Sequence, residues 1–206
     1  MKKGAPLRYG AIAFGVAVLT CAGAAIATAD EVDDDAVDVH VEIADDGEGV
    51  LALSVAQDSM NLEEVDSADP LVREFTGTLP TVTVTDTRSD LAADATWAVL
   101  GSASDFVNAD DPTVTIGAEH LGWAPQLLDD YGPNIEAGQP VETVVDDQAS
   151  PGLSTADTEI LYINWDPADN EGLGPWSANA DLSLKVLAGE VEPGSYTSVL
   201  TLSLFE

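Results

Sequence analysis

The residues able to take part in chemistry are few in kind and numerous in one class only. Nucleophilic catalysis sets a Ser, Thr or Cys against a base, and beyond residue 29 the chain offers His40, His120 and Lys185 for that second role. No Gly-x-Ser-x-Gly elbow, His-Glu-x-x-His or Cys-x-x-Cys occurs, and no glycine-rich loop of the phosphate-cradling kind. Carboxylates abound: with 38 Asp and Glu, two of them at the spacing of a glycosidase pair would carry little information. Hard oxygen ligands suit calcium, and Asp166, Asp169, Asn170 and Glu171 form the densest group, in a Gly- and Pro-rich loop. Their spacing is not that of an EF-hand, so a plain acidic loop stands as the alternative, and no other cofactor is expected. Trp123 and Trp176 are flanked by Gly and Pro, which predicts loop positions where an exposed indole stacks on a sugar ring or peptide. The alternative is that each caps the end of a core. Trp97 and Trp165 fall in strand patterns and are predicted to be buried.

The segments that would have to position these residues begin with an export leader. Lys2, Lys3 and Arg8 precede an apolar run from Tyr9 to Ile26, and Ala27-Thr28-Ala29 supplies small residues before Asp30. That pattern predicts a signal peptide over residues 1–29. Lipidation at Cys21 and retention as a membrane anchor are the alternatives; Thr20 before Cys21 departs from the small residue a lipidation site carries there. Cys21 is the chain's single cysteine, so the mature domain is expected to hold together without disulfides. The formal charge is −32, and cleavage after Ala29 removes three basic residues and no acidic one, taking it to −35. Such a surface repels nucleic acid and anionic lipid, which excludes both as expected partners. It attracts cations and basic surfaces, or serves solubility and life at high salt.

Residues 30–36 open the mature chain as an acidic segment, and residues 37–206 are expected to form a single domain. Val37, Val39, Val41 and Ile43 alternate, a Gly/Asp turn follows, and Leu51, Leu53 and Val55 alternate again, predicting a hairpin with His40 facing solvent. Residues 57–71 read as a polar loop. The stretch from Leu79 to Pro125 is the organising middle, with strands around Val82–Val84, Trp97–Val99 and Val114–Ile116. Further strands are predicted at Val141–Val145, Glu159–Trp165, Asp181–Leu187 and Tyr196–Leu204. Gly122-Trp123-Ala124-Pro125 and Asp166–Trp176 read as non-strand on their Gly and Pro content. About nine strands and no amphipathic helix predict an all-β protein, an antiparallel β-sandwich.

Asp86-Thr87-Arg88, Trp97-Ala98-Val99, Gly122-Trp123 and Pro193-Gly194-Ser195-Tyr196 together resemble secreted WxL-type cell-wall-associated proteins. The likeness runs loosely from Leu79 to Leu204. Trp97-Ala98-Val99 stands where that family has its first Trp-x-Leu, and Leu202-Ser203-Leu204 where it has the second. The resemblance implies a β-rich, secreted, surface-associated domain. The expected function is an exported, non-enzymatic β-sandwich that associates with the cell surface or wall polymers, with a wall polymer or surface protein as partner. The alternatives are a structural subunit of a surface fibre or matrix joined by strand addition, and a secreted hydrolase using two carboxylates.

Overall fold

Alternating small and β-branched residues pack best on a pleated, half-buried surface, and the chain uses this pattern throughout. The computed structural model describes residues 49–154 and 158–206. Its elements are β1 (Leu51–Val55), β2 (Glu63–Val65), β3 (Val72–Thr78), β4 (Val82–Asp86), β5 (Trp97–Ala103), β6 (Phe106–Asn108), β7 (Thr115–Ile116), a 3-10 turn (Ala118–His120), β8 (Leu121–Leu127), β9 (Ile135–Ala137), β10 (Glu159–Asn164), β11 (Trp176–Leu187), β12 (Tyr196–Thr197) and β13 (Leu200–Phe205). All strand pairs are antiparallel. The protein is all-β and sandwich-like. The first arm of the expected hairpin, His40 and the acidic segment lie outside the described residues, as do the leader and Cys21. Among the described residues no helix is long and apolar enough to cross a membrane.

The first sheet is built on β11, whose Trp176, Ala178, Ala180, Leu182, Leu184 and Val186 all point inward. One flank of β11 takes β4 and then β3, with the register shifting by one residue across Leu79–Thr81, where Pro80 interrupts the ladder. Its other flank takes β8, and β1 and β2 extend the sheet beyond β4 and β3. The second sheet runs β13-β5-β10-β9, and a short sheet, β12-β6-β7, continues the lines of β13 and β5. The break between β12 and β13 is chemical. Ser198 Oγ donates to Ser104 O (2.6 Å) and Val199 N donates to Ser104 Oγ (3.0 Å), so side chains replace the ladder there. The expected long final strand is therefore two short ones.

The sheets meet over an aromatic cluster. Trp97 is 1% exposed and packs edge-on to Tyr162 at 5.5 Å and tilted against Trp176 at 5.7 Å. The Tyr162 hydroxyl donates to Trp176 O (3.2 Å), crossing from one sheet to the other, and burial pushes its pKa up. Trp123 fills the space over Gly101, where a Cβ would sit 2.6 Å from the indole.

Three predicted positions are corrected here. Trp176 is 2% exposed and opens β11, paired to Val84 directly after the cis Gly174-Pro175 peptide. Trp123 is 2% exposed and sits within β8. Pro125 is tolerated there because it faces Ala180, whose carbonyl is taken from the opposite side by Leu79 N (2.8 Å). The position therefore needs no N–H toward β11. Trp165 is 52% exposed, with its Nε1 donating to Glu136 Oε2 at 3.1 Å. A register irregularity between Ile160 and Tyr162 buries Leu161 and Tyr162 in succession, reversing the alternation and turning Trp165 outward. The predicted strand at Val141–Val145 reduces to one bridge, Val141 to Trp123, and the predicted loop over 57–71 contains β2.

Candidate functional site

The outward face of the first sheet carries the residues of β11 that do not enter the core. Asp181, Ser183 and Lys185 lie there, opposite Thr78, Thr76 and Glu74 of β3. On the other side Gly122 and Ala124 of β8 stand beside Ser183 and Asp181. The segment from Pro140 to Asp146 crosses the outer side of β8 and makes a wall, closing a groove of about 490 Å³. Gly122 is required by this approach, since a Cβ would collide with Val141 O.

Thr143 anchors that wall. It is buried, its Oγ1 donates to Asp146 Oδ2 (2.8 Å), and its carbonyl takes the N–H groups of Asp146 and Asp147 (3.0 Å each). The turn presents Asp146 to Lys185, whose Nζ donates to Oδ1 at 2.7 Å and lies 3.8 Å from Glu74 Oε1. Ser183 Oγ donates to the same Glu74 oxygen at 3.2 Å, and Thr78 Oγ1 to Asp181 Oδ1 at 3.2 Å. The result is a polar trough of hydroxyls and carboxylates around one ammonium.

Electrostatics decide what this trough can do. The hydrogen bond it donates to Asp146 holds the Lys185 ammonium above its ordinary pKa despite partial burial, helped by the charges of Asp146, Glu74 and Glu142. Burial alone would raise the Asp146 carboxyl, but hydrogen bonds from Lys185 and Thr143 outweigh it and lower its pKa. Ser183 and Lys185 share a face two residues apart, the composition of a Ser–Lys dyad. Such a dyad needs a neutral amine to take the hydroxyl proton, and Lys185 is held in the opposite state. His120 is engaged elsewhere, its Nδ1 2.7 Å from Lys185 O. The arrangement presents hydroxyl, carboxylate and ammonium groups able to form hydrogen bonds, with the ammonium of Lys185 already donating to Asp146.

The residues singled out from sequence are dispersed. Asp166 Oδ1 accepts from Asp169 N (3.1 Å), and Glu171 Oε1 reaches away to accept from Leu91 N (3.2 Å). Asn170 turns inward to Asn164 Oδ1 (3.2 Å). The carboxylates of Asp166, Asp169 and Glu171 are not brought to one point, and among the described residues no group of three His, Cys, Asp or Glu forms a metal site. The buried rings of Trp123 and Trp176 offer no open face for stacking. A second cleft, of about 460 Å³, lies near Glu171 and Pro175. Its Arg88 is held by Asp86 through Nε (2.9 Å) and Nη2 (2.8 Å), and by Glu206 through Nη1. Every basic side chain among the described residues, Arg73, Arg88 and Lys185, is in an ion pair.

Sequence reading found Lys185 as a base but missed its partner Asp146 and the Thr143 that bonds Asp146. The signal was there, in Thr143-Val144-Val145-Asp146, a Thr-x-x-Asp turn pattern of the capping-box kind. No protein-family model matches the chain, and no curated protein matches it.

Proposed function

We propose that the chain is an exported, non-enzymatic β-sandwich that associates with the cell surface through wall polymers bearing hydroxyl or amino groups. The observation that carries this reading is the groove over β3, β11 and β8, where the hydroxyl of Thr76 and the carboxylates of Asp181 and Glu142 line a trough across the flat outer face. Hydroxyl-rich polymers are held by hydrogen bonds to such groups, and cationic ones also by the carboxylates. Export rests on the leader read in residues 1–29, and the strong acidity makes nucleic acid and anionic lipid unfavourable partners.

Purified chain incubated with wall material from the producing cells should sediment with it, and the free fraction should elute as a monomer. Thr76→Arg places a long cation in the groove and is expected to lower retention about tenfold, equivalent to 1.4 kcal/mol. Equal retention of the two proteins, or none of either, sinks the proposal. The intact mass of exported material should begin at Asp30.

A further inference from the structure

The edges of the two sheets are not treated alike. β2 is three residues long and carries Glu63 and Glu64; β9 is equally short, carries Glu136 and is followed by Gly138 and Pro140. β8 carries Pro125 and is bridged on its outer side at Trp123 by Val141. Short length, charge and proline are the devices that stop a sheet edge from recruiting another strand. β13, Leu200-Thr201-Leu202-Ser203-Leu204-Phe205, has none of them, and among the described residues it pairs with β5 alone.

The hydrogen-bond phase of this edge follows from its inner side. Ser104 N donates to Val199 O (2.9 Å), which fixes Val199, Thr201, Ser203 and Phe205 as the residues bonded across to β5. The N–H and C=O groups of Leu200, Leu202 and Leu204 therefore face outward, while their side chains pack against the core. Exposed Val199 and Phe205 bracket the strand. β1 is also uncharged, and is one residue shorter than β13.

We infer that β13 is a strand-addition site, and that its occupant is an extended segment with basic flanks on a partner protein. Charge selects that partner. The chain's formal charge is −32, and each of its described cations is already spent on its own carboxylates. A second copy would bring an equally acidic surface to the same edge, whereas a segment flanked by Lys or Arg is drawn to so acidic a chain. Main-chain hydrogen bonds would supply the affinity and the flanks the selectivity. The inference does not rest on the polymer reading, because the groove and this edge belong to different sheets.

The test uses the full chain and a labelled peptide with an alternating Thr/Val core between lysine pairs, followed by fluorescence anisotropy and amide exchange. A second peptide of equal charge has proline in its core and cannot complete a ladder. The first peptide should bind and slow exchange at Leu200, Leu202 and Leu204, and the proline peptide should bind at least about tenfold more weakly. Thr201→Lys should weaken binding about two- to fivefold and Thr201→Glu strengthen it, as cross-strand charge pairs do. Equal binding of the two peptides, or binding without protection of those amides, would show mere attraction to an acidic surface and overturn the proposal. Concentration-dependent protection without peptide, abolished by Thr201→Glu, would replace it with self-association.

Discussion

Trp97→Ala is the substitution whose cost the structure defines best. The indole is 1% exposed and contacts Tyr162 from its own sheet and Trp176 from the facing one. Burial of an aromatic of this size removes roughly 150–250 Å² from water, each contact of the pair type adds about 0.5–1.5 kcal/mol, and the core relaxes only partly into the void. One term opposes these. Trp97 Nε1 is buried and has no hydrogen-bond partner among the described residues, so deleting the ring also removes an unsatisfied donor, worth about 1–3 kcal/mol. The net expectation stays in the range of about 3–5 kcal/mol measured for large-to-small core changes. For a domain of this size that is a fall in Tm of about 6–20 °C.

Trp176→Ala should fall in the same range, since Trp176 is 2% exposed and sits across the same interface. Trp165→Ala should cost less than about 1 kcal/mol, because half the ring is already in water and its one hydrogen bond is to an exposed carboxylate. Trp97→Phe keeps an aromatic contact and drops the orphan donor, so it should cost less than half of the alanine change. Urea unfolding followed by far-ultraviolet circular dichroism measures all four variants. Equal losses for Trp97→Ala and Trp165→Ala would refute the packing argument, and a phenylalanine variant as unstable as alanine would refute the role given to the orphan N–H.

Three further outcomes follow from charge. Asp146 has a lowered pKa when folded, so its contribution is complete above its ordinary value of 3.8 and is lost as pH falls through the folded value. The stability difference between wild type and Asp146→Asn should be constant well above 3.8 and shrink as pH falls through the lower folded value; a difference that grows on acidification would contradict the ion pair with Lys185. Folding draws carboxylates together, so sodium chloride should raise Tm in a graded way as the screening length falls from about 8 Å at 0.15 M to about 3 Å at 1 M. With Asp166, Asp169 and Glu171 forming no metal-holding group among the described residues, calcium titrated at fixed high salt should give no saturable rise in Tm; a plateau at low calcium would show a built site instead.

What the sequence made legible was the strand period, and it stayed legible as far as the ladder ran unbroken. Val82 and Val84, Trp97 and Val99, and the inward residues of β11 from Leu182 onward stand on the predicted face because nothing shifts their parity. Trp165 fails for a local reason: the irregularity at Ile160/Tyr162 spends one extra residue, and every side chain beyond it changes face. Composition misled at Trp123 and Trp176 because Gly and Pro are penalised only where a ladder needs their missing groups. Pro125 meets no such demand opposite Ala180, and the cis Gly174-Pro175 peptide ends just where β11 begins. The groove was hidden for a different reason. Ser183 and Lys185 alternate visibly in β11, but Glu74, Thr143 and Asp146 reach them from distant parts of the chain, and only the pairing of β3 with β11 and the passage of residues 140–146 across β8 bring them together. A site whose members are supplied by register, rather than by spacing within one segment, leaves in the sequence only its local turns, and here that trace was Thr143-Val144-Val145-Asp146.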